Sequence, residues 1–239
     1  MNPKSKIKSA SRPFVLVNVA MTADGKIAAA NHAPLIFSSR RDREHMLELR
    51  ATVDAVMSGA RTVDSAPVTL GTGAARFRRL RLRRGLAQYH LRIIVSGSGT
   101  VNPRATIFQR RFSPIMVLTT GRASSAKLRR LRAEADEVKV FGGREINFRS
   151  ALRWLRARWG VRRLLCEGGG ELNDALFRAG LVDELHLTIC PTIFGGRCAP
   201  TLADGAGFRR LGRAAPFRIK SFKRVGDEVF AVFRRMRRP

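Results

Sequence analysis

Leu164-Leu165-Cys166-Glu167-Gly168-Gly169-Gly170-Glu171-Leu172 is an apolar run that passes through three consecutive glycines into a helical pattern. The apolar part, Arg163 to Glu167, has the length of a buried strand, and Glu171 to Arg178 with Gly180 beyond it reads as a helix and its C-terminal stop. Glycines at such a junction let backbone N–H groups come close to a ligand, at the helix end where the aligned peptide dipoles are positive. The arrangement suits a pyrophosphate. Glycine-rich strand-to-helix turns also occur simply to let a helix pack on a sheet. The stretch is not the G-x-G-x-x-G of a Rossmann domain, and no such fingerprint follows the first strand.

Outward from this stretch, short apolar runs rich in β-branched residues alternate with helical patterns, the signature of a mainly parallel sheet with crossover helices. Predicted strands are Phe14 to Met21, Asp54 to Ser58, Arg92 to Ser96, Ile115 to Thr119, Glu137 to Phe141, Arg163 to Glu167 and Val182 to Ile189. Phe217 to Arg224 and Glu228 to Arg235 form an antiparallel hairpin around Gly226-Asp227. Ser39 followed by Asp42 is a capping-box signal, after which Met46, Leu49 and Val53 recur at helical spacing. A second helix carries Leu128 and Leu131. A third starts near Asn147 or Ser150 with Leu152, Leu155 and Trp159 on one face and Arg153 and Arg156 turned to solvent. Gly71 to Gly85 reads as a basic loop.

The chain has 239 residues, 44% hydrophobic and 27% charged, which fits one large α/β domain and excludes a disordered chain. Residues 1–12 read as a solvated basic tail without the apolar core of a signal peptide, and 13–239 as a single domain. No apolar run approaches the length of a membrane span. Cys166, Cys190 and Cys198 lack a Cys-x-x-Cys pair and no His pair has zinc-ligand spacing, so they read as reduced core thiols, with no metal site and a cytoplasmic setting. The net charge of +28 is carried mostly by arginine, since only eight of the 46 basic residues are lysines. Such a field attracts phosphorylated small molecules and nucleic acids alike. Biased base composition is the plainer account, because the arginines are scattered along every segment.

Two further segments sit where ligands dock in open α/β sheets, at the ends of buried strands. One is Asn18-Val19-Ala20-Met21-Thr22-Ala23-Asp24-Gly25-Lys26-Ile27-Ala28. The other, Leu49-Arg50-Ala51-Thr52-Val53-Asp54-Ala55-Val56-Met57-Ser58-Gly59-Ala60-Arg61-Thr62-Val63, runs from a helix through a strand into a small-residue turn. With Glu167-Gly168-Gly169-Gly170, Val182-Asp183-Glu184-Leu185, and Pro191 with Gly195-Gly196, these segments in this order and spacing resemble the riboflavin-pathway pyrimidine reductases, over nearly the whole chain from Pro13 to Phe233. The resemblance implies a dihydrofolate-reductase-like α/β fold, with a mainly parallel central sheet flanked by helices and a C-terminal antiparallel hairpin. It also implies NADPH as hydride donor, a phosphorylated substrate and a homodimer.

Position by position, the resemblance implies that Ala20, Thr22, Gly59 and Thr62 lie along the cofactor, and that Gly168, Gly169, Gly170, Glu171 and Leu172 hold its diphosphate. Asn18, Asp24, Arg50 and Glu167 fall on the substrate side, Arg50 as a counter-charge to phosphate and Glu167 as an acceptor for ribose or base donors. Plainer readings stand beside these: Arg50 as a surface arginine, Thr62 as a helix cap, Asp24 as an Asp-Gly turn residue. An acidic group at the end of an apolar strand needs a partner, which favours a functional Glu167. No residue is identified as a catalytic acid or base.

The chain also departs from the family pattern. Where these reductases carry Asp-Asp-Pro-x-Leu-Thr it reads Asp64-Ser65-Ala66-Pro67-Val68-Thr69-Leu70, with Asp64 or Arg76 as candidate replacements for the missing charges. Asn18 stands where many bacterial members have lysine. Neither H-x-E nor P-C-x-x-C, the zinc-deaminase signatures, is present. The implied reaction is reduction of a ribosylamino group to ribityl by hydride transfer to C1′ of a ring-opened imine, a task mainly of positioning. It agrees with the lack of evident partners for His32, His45, His90 and His186. Reduction of a pterin or another imine or carbonyl on the same fold is the alternative. A nucleic-acid role through Phe77-Arg78-Arg79-Leu80-Arg81-Leu82-Arg83-Arg84 is the rival from another class. The single Tyr and the lack of a helix-turn-helix, zinc-finger or RNP pattern argue against it.

Overall fold

The structure is a computed structural model that describes residues 12–31, 36–65 and 67–236. Its strands are β1 (Phe14–Thr22), β2 (Ala55–Gly59), β3 (Leu91–Val95), β4 (Ile115–Thr119), β5 (Glu137–Val140), β6 (Arg163–Cys166), β7 (Glu184–Cys190), β8 (Phe217–Val225) and β9 (Glu228–Arg235). They form one sheet in the order β5-β4-β3-β2-β6-β1-β7-β9-β8. All pairings from β5 across to β7 are parallel, and β9 and β8 close the sheet in antiparallel register around Gly226, whose φ is 62°. The expected α/β class and hairpin are therefore present.

β6 lies between β1 and β2, with Val17 opposite Cys166 and Met57 opposite the same residue on the other side. Both faces of these central strands are buried, which is why they read as unbroken apolar runs rather than alternating ones. Strand starts share one device. Asp54 Oδ2 accepts the N–H groups of Arg162 and Arg163, each at 2.8 Å. Asp183 accepts from Val15 N–H at 2.8 Å and Asp136 from Ile115 N–H at 2.8 Å. Each carboxylate stands just before one strand and fixes where its neighbour begins. Asp183 also binds the Arg12 guanidinium at 2.6 and 2.7 Å, tying residue 12 to the domain; residues 1–11 lie outside the described part.

Helices cover both faces. α1 (Arg40–Arg50), α2 (Ala60–Ser65) and α5 (Ser125–Glu134) send Leu49, Val63 and Leu131 onto the face of Leu16, Val56, Ile94, Val117 and Leu165. α6 (Phe148–Trp159) and α7 (Gly170–Arg178) send Leu152, Leu155, Leu172 and Leu176 onto the opposite face, with Val15, Met57, Leu164 and Cys166. Asn147 caps α6 by accepting the Ser150 N–H, and Gly160 ends it in the left-handed conformation. α1 differs from its sequence signal. Ser39 Oγ accepts from Asp42 N–H, but the Ser39 N–H and hydroxyl donate to Glu228 of β9, not to Asp42, and Val53 lies beyond the helix end.

Two segments expected as loop or turn are helical. Ala75–Arg83 is α3, with Phe77 and Arg81 buried, so the basic stretch is not a free contact loop. Arg81 donates to the carbonyls of Arg50, Val53 and Ala87 at 2.6 to 2.8 Å, which lets a guanidinium occupy an inward position. The turn after Gly59 is α2, which starts directly at the end of β2. A short α4 (Thr106–Gln109) was also unmarked in the sequence. No helix among the described residues is long and apolar enough to cross a membrane.

Candidate functional site

A cleft of about 1160 Å³ opens at the carboxyl ends of β1, β2 and β6. Parallel strands end there together, so the residues that follow them converge. Asn18 and Ala20 of β1 and Ser58 of β2 form its floor, and the Glu167–Gly170 turn with Glu171 forms one wall. Arg61 and Thr62 of α2, the segment Pro67 to Leu70, and Asp42, Arg43, Met46 and Arg50 of α1 form the others. The loop Arg197 to Pro200, with Asp204, closes the rim.

The glycine turn is shaped by its neighbours. Gly168 has φ +82°, where an L side chain would be strained, and its carbonyl accepts from Gly59 N–H at 3.0 Å and Ser58 Oγ at 3.4 Å. A Cβ on Gly169 would lie 3.5 Å from Thr62 Oγ1, in ordinary contact. At Gly170 a Cβ would stand 2.5 Å from Asp204 Oδ2 and 2.7 Å from Thr201 O, so the close packing of that loop itself requires glycine. Gly169 is the N-cap of α7 and offers no side-chain acceptor, leaving the first-turn N–H groups of Gly170, Glu171 and Leu172 without a capping oxygen.

Arg50 and Glu167 meet as a two-pronged pair: Arg50 Nε and Nη2 donate to the two carboxylate oxygens at 2.6 Å each, and Nη1 donates to Gly71 O at 2.5 Å. Each side chain is 10% exposed. Arg61 and Glu171 pair at 2.7 Å across the mouth of the cleft. Arg43 and Arg197 are exposed guanidiniums that pair with no carboxylate among the described residues. Asn18 Oδ1 on the floor and Asp42 Oδ1 on the α1 wall are buried acceptors without a hydrogen-bond partner. Such atoms are costly unless something supplies a donor.

Of the positions singled out from sequence, Asn18, Ala20, Arg50, Thr62, Glu167, Gly168, Gly169, Gly170 and Glu171 come together on the cleft. Thr22, Asp24, Gly59 and Leu172 are not in its lining. Thr22 is fully buried and donates to Asp24 at 2.5 Å, while Asp24 accepts the amides of Phe194 and Gly195. The Thr22 hydroxyl, followed by those amides, holds the Asp24 carboxyl below the ordinary aspartate range. Leu172 packs in the core. Asp64 lines the cleft and accepts from Asn102 N–H, whereas Arg76 pairs with Glu44, away from the cleft. Sequence reasoning read Asp42 only as part of a helix cap and missed Arg43, Arg197 and Asp204, which lie on helix or loop positions with no local motif.

The cysteines and histidines also differ from expectation. Cys166 and Cys190 are buried, and burial pushes each thiol up to about 12, whereas Cys198 is exposed on the cleft rim and is not a core thiol. His45 Nε2 lies 3.3 Å from His186 Nδ1, and His186 Nε2 lies 3.0 Å from Glu184, which also binds Lys220 and Arg234. Of these partners Glu184 is two residues from His186, whereas His45 is distant from it in sequence. Burial lowers both imidazoles, His186 to about 4. His90 is buried against Leu70 O and held to about 3 by the same cause, and His32 lies outside the described residues. No group of three or more metal-ligating side chains is present among the described residues.

Residues 13–231 match the family model described as the RibD C-terminal domain. The 2,5-diamino-6-ribosylamino-4(3H)-pyrimidinone 5′-phosphate reductase of Archaeoglobus fulgidus is 36% identical over 227 residues, covering 95% of this chain and 100% of that protein. Among solved structures, a pyrimidine reductase-like protein from Corynebacterium diphtheriae superposes with a TM-score of 0.78 at 20% identity, covering 95% of this chain and 93% of that one. Acinetobacter baumannii RibD gives a TM-score of 0.72 at 19% identity, and there the match covers 94% of this chain but 58% of that chain. These two likenesses are of fold, the dihydrofolate-reductase-like arrangement of the RibD reductase domains.

Proposed function

Because the chain belongs to the RibD C-terminal domain family, we propose that it is a reductase of riboflavin biosynthesis that converts the ribosylamino group of a pyrimidine 5′-phosphate to ribityl, with NADPH as its cofactor. The observation that carries this reading is the uncapped first turn of α7 beside the Gly168-Gly169 turn. It offers N–H donors to a diphosphate at the edge of a cleft large enough for a dinucleotide and a second ligand. Gly169, with room for close approach beside Thr62, fits the same group. When bound, the cofactor supplies hydride to the acceptor carbon.

The chain's own residues bind and orient. Gly169, Gly170, Glu171 and Leu172 present backbone donors to the diphosphate, Ala20 and Thr62 flank the nicotinamide arm, and Gly59 supports the glycine turn through its N–H to Gly168 O. The orphaned acceptors of Asn18 and Asp42 take donors from sugar or base. Glu167, fixed in one rotamer by Arg50, presents its remaining lone pairs to ribose hydroxyls or amino groups. Since the Arg50 nitrogens are engaged, Arg43 and Arg197 share with it the counter-charge to the substrate phosphate. Asp24 and Thr22 act below the site by anchoring the Phe194-Gly195 loop.

We also read the protein as a cytoplasmic homodimer. The free cysteines support a reducing compartment, and the exposed Ile219 and Phe222 on the edge strand β8 support pairing with a second copy. Light scattering on the eluted protein tests the oligomer.

The test of function is NADPH oxidation by the full chain with the deaminated and undeaminated ribosylaminopyrimidine phosphates, NADH in parallel, and the ribityl product identified by mass. Stoichiometric product from one of them with NADPH preferred is expected. Tight NADPH binding with turnover of neither overturns the reaction.

A further inference from the structure

Leu70 is the residue other than glycine with positive φ among the described residues, at 51°. It sits in the cleft wall, in the segment Pro67 to Leu70 where the chain departs from its family's pattern. Three consecutive carbonyls around it are each held by a different basic side chain. Thr69 O accepts from Arg92 Nη1 at 3.4 Å, Leu70 O from His90 Nε2 at 2.6 Å, and Gly71 O from Arg50 Nη1 at 2.5 Å. His90 and Arg92 are buried, and Arg92 is fixed further by the carbonyls of Ile107, Arg110 and Ser113.

We propose that His90 is a positioning residue, which by clasping the Leu70 carbonyl holds this wall in its left-handed turn and so sets the cleft's fit to the pyrimidine phosphate. The proposal rests on the pyrimidine-reductase reading of the same cleft. The chemistry at His90 is fully determined by its neighbours. A carbonyl only accepts, so Nε2 carries the hydrogen, and Nδ1 is left as acceptor for the Thr72 hydroxyl at 3.5 Å. Burial, reinforced by the nearby Arg50, Arg81 and Arg92 charges, outweighs the pull of the Leu70 carbonyl and keeps the ring neutral at working pH. An uncharged donor here adds no further cation to a region already holding those guanidiniums. The clasp also reaches the substrate side directly. Gly71, next in the chain, bonds to Arg50, and Arg50 bonds to Glu167, so a relaxed Leu70 shifts the pair that faces the ligand. The α7 turn is tied to β2 through the Gly168 carbonyl and to α2 through the Arg61–Glu171 pair instead, so the diphosphate side of the groove is spared.

Three variants test this. His90→Leu removes the donor, His90→Gln keeps a donor at the place of Nε2, and Thr72→Val removes the hydroxyl that meets Nδ1 and steadies the ring. His90→Leu is expected to raise KM for the pyrimidine phosphate on the order of tenfold with NADPH Kd within about twofold, and His90→Gln to recover most of that loss. Thr72→Val is expected to raise KM about threefold with the NADPH Kd unchanged, and it carries the test if His90→Leu does not fold. Unchanged KM, a parallel rise of KM and NADPH Kd, or no advantage of His90→Gln over His90→Leu overturns the proposal. Turnover by the wild-type chain is the separate check on the reaction. If there is none, the reaction reading falls, while amide exchange over residues 69–72 that quickens in His90→Leu or Thr72→Val and nowhere else still upholds the clasp. Unchanged exchange there overturns it.

Discussion

At the scale of single residues, the Arg50–Glu167 pair is the point where stability and function meet. Removing one partner leaves the other charge buried, so Arg50→Met is expected to lower unfolding free energy by about 3 kcal/mol, read as a fall in the urea midpoint. Arg50→Lys restores charge but not the fork, and should recover less than half of it. A midpoint unchanged in Arg50→Met would mean the pair contributes nothing. The histidines give a pH signature. His90, His186 and His45 have folded values below the ordinary 6.5, chiefly through burial. The unfolded chain therefore binds more protons as the pH drops below 6.5, and stability falls with it. The His186 contribution is lost by about pH 4 and that of His90 by about pH 3. Each histidine should add a slope approaching about 1.4 kcal/mol per pH unit inside its window. Urea midpoints at pH 7, 6, 5 and 4 check this, and His90→Gln should flatten the curve.

At the scale of elements, the strand-start carboxylates decide register. Asp54→Ala strips the Arg162 and Arg163 amides of their acceptor at the head of β6 and should cost about 2 kcal/mol, whereas Asp64→Ala, on an exposed loop contact, should cost less than about 0.5 kcal/mol. Chemical denaturation of the two variants side by side separates them. The strands were legible because parallel strands buried on both faces must be apolar throughout, and Gly226, Asn147 and Gly180 mark their turns and caps by conformational necessity. α3 was not legible, because its inward face carries Arg81, a residue that periodicity assigns to solvent unless carbonyls elsewhere in the fold collect its N–H groups. α2 is six residues long with Val63 as its only buried position, too short to show a period. The glycine turn announced itself through consecutive glycines. The pairing of Arg50 with Glu167, of His45 with His186 and of His90 with Leu70 could not, since each depends on separate parts of the chain brought together by the fold.

At the scale of the whole molecule, the charge of +28 is not concentrated in the cleft, where four arginines face five carboxylates. Among the described residues the excess lies mostly on surfaces outside the cleft and acts at long range, where salt screens it. NADPH association measured by stopped flow should therefore slow on the order of tenfold between 10 and 300 mM salt while dissociation changes less than about twofold. Strongly salt-dependent dissociation would place the charge at the ligand instead. The seat of β6 between β1 and β2 has a temporal side. Until that late strand arrives, the earlier part of the chain holds one four-stranded sheet, β5-β4-β3-β2, open at β2, and an unpaired β1, and long-range closures of this kind are slow to form. The joining of β1 to the β2 sheet and the assembly of the cleft floor are then a single event. A ribosome-bound chain not yet extended past Cys166 has nowhere to capture a nucleotide, and the three glycines that follow carry that capacity with them.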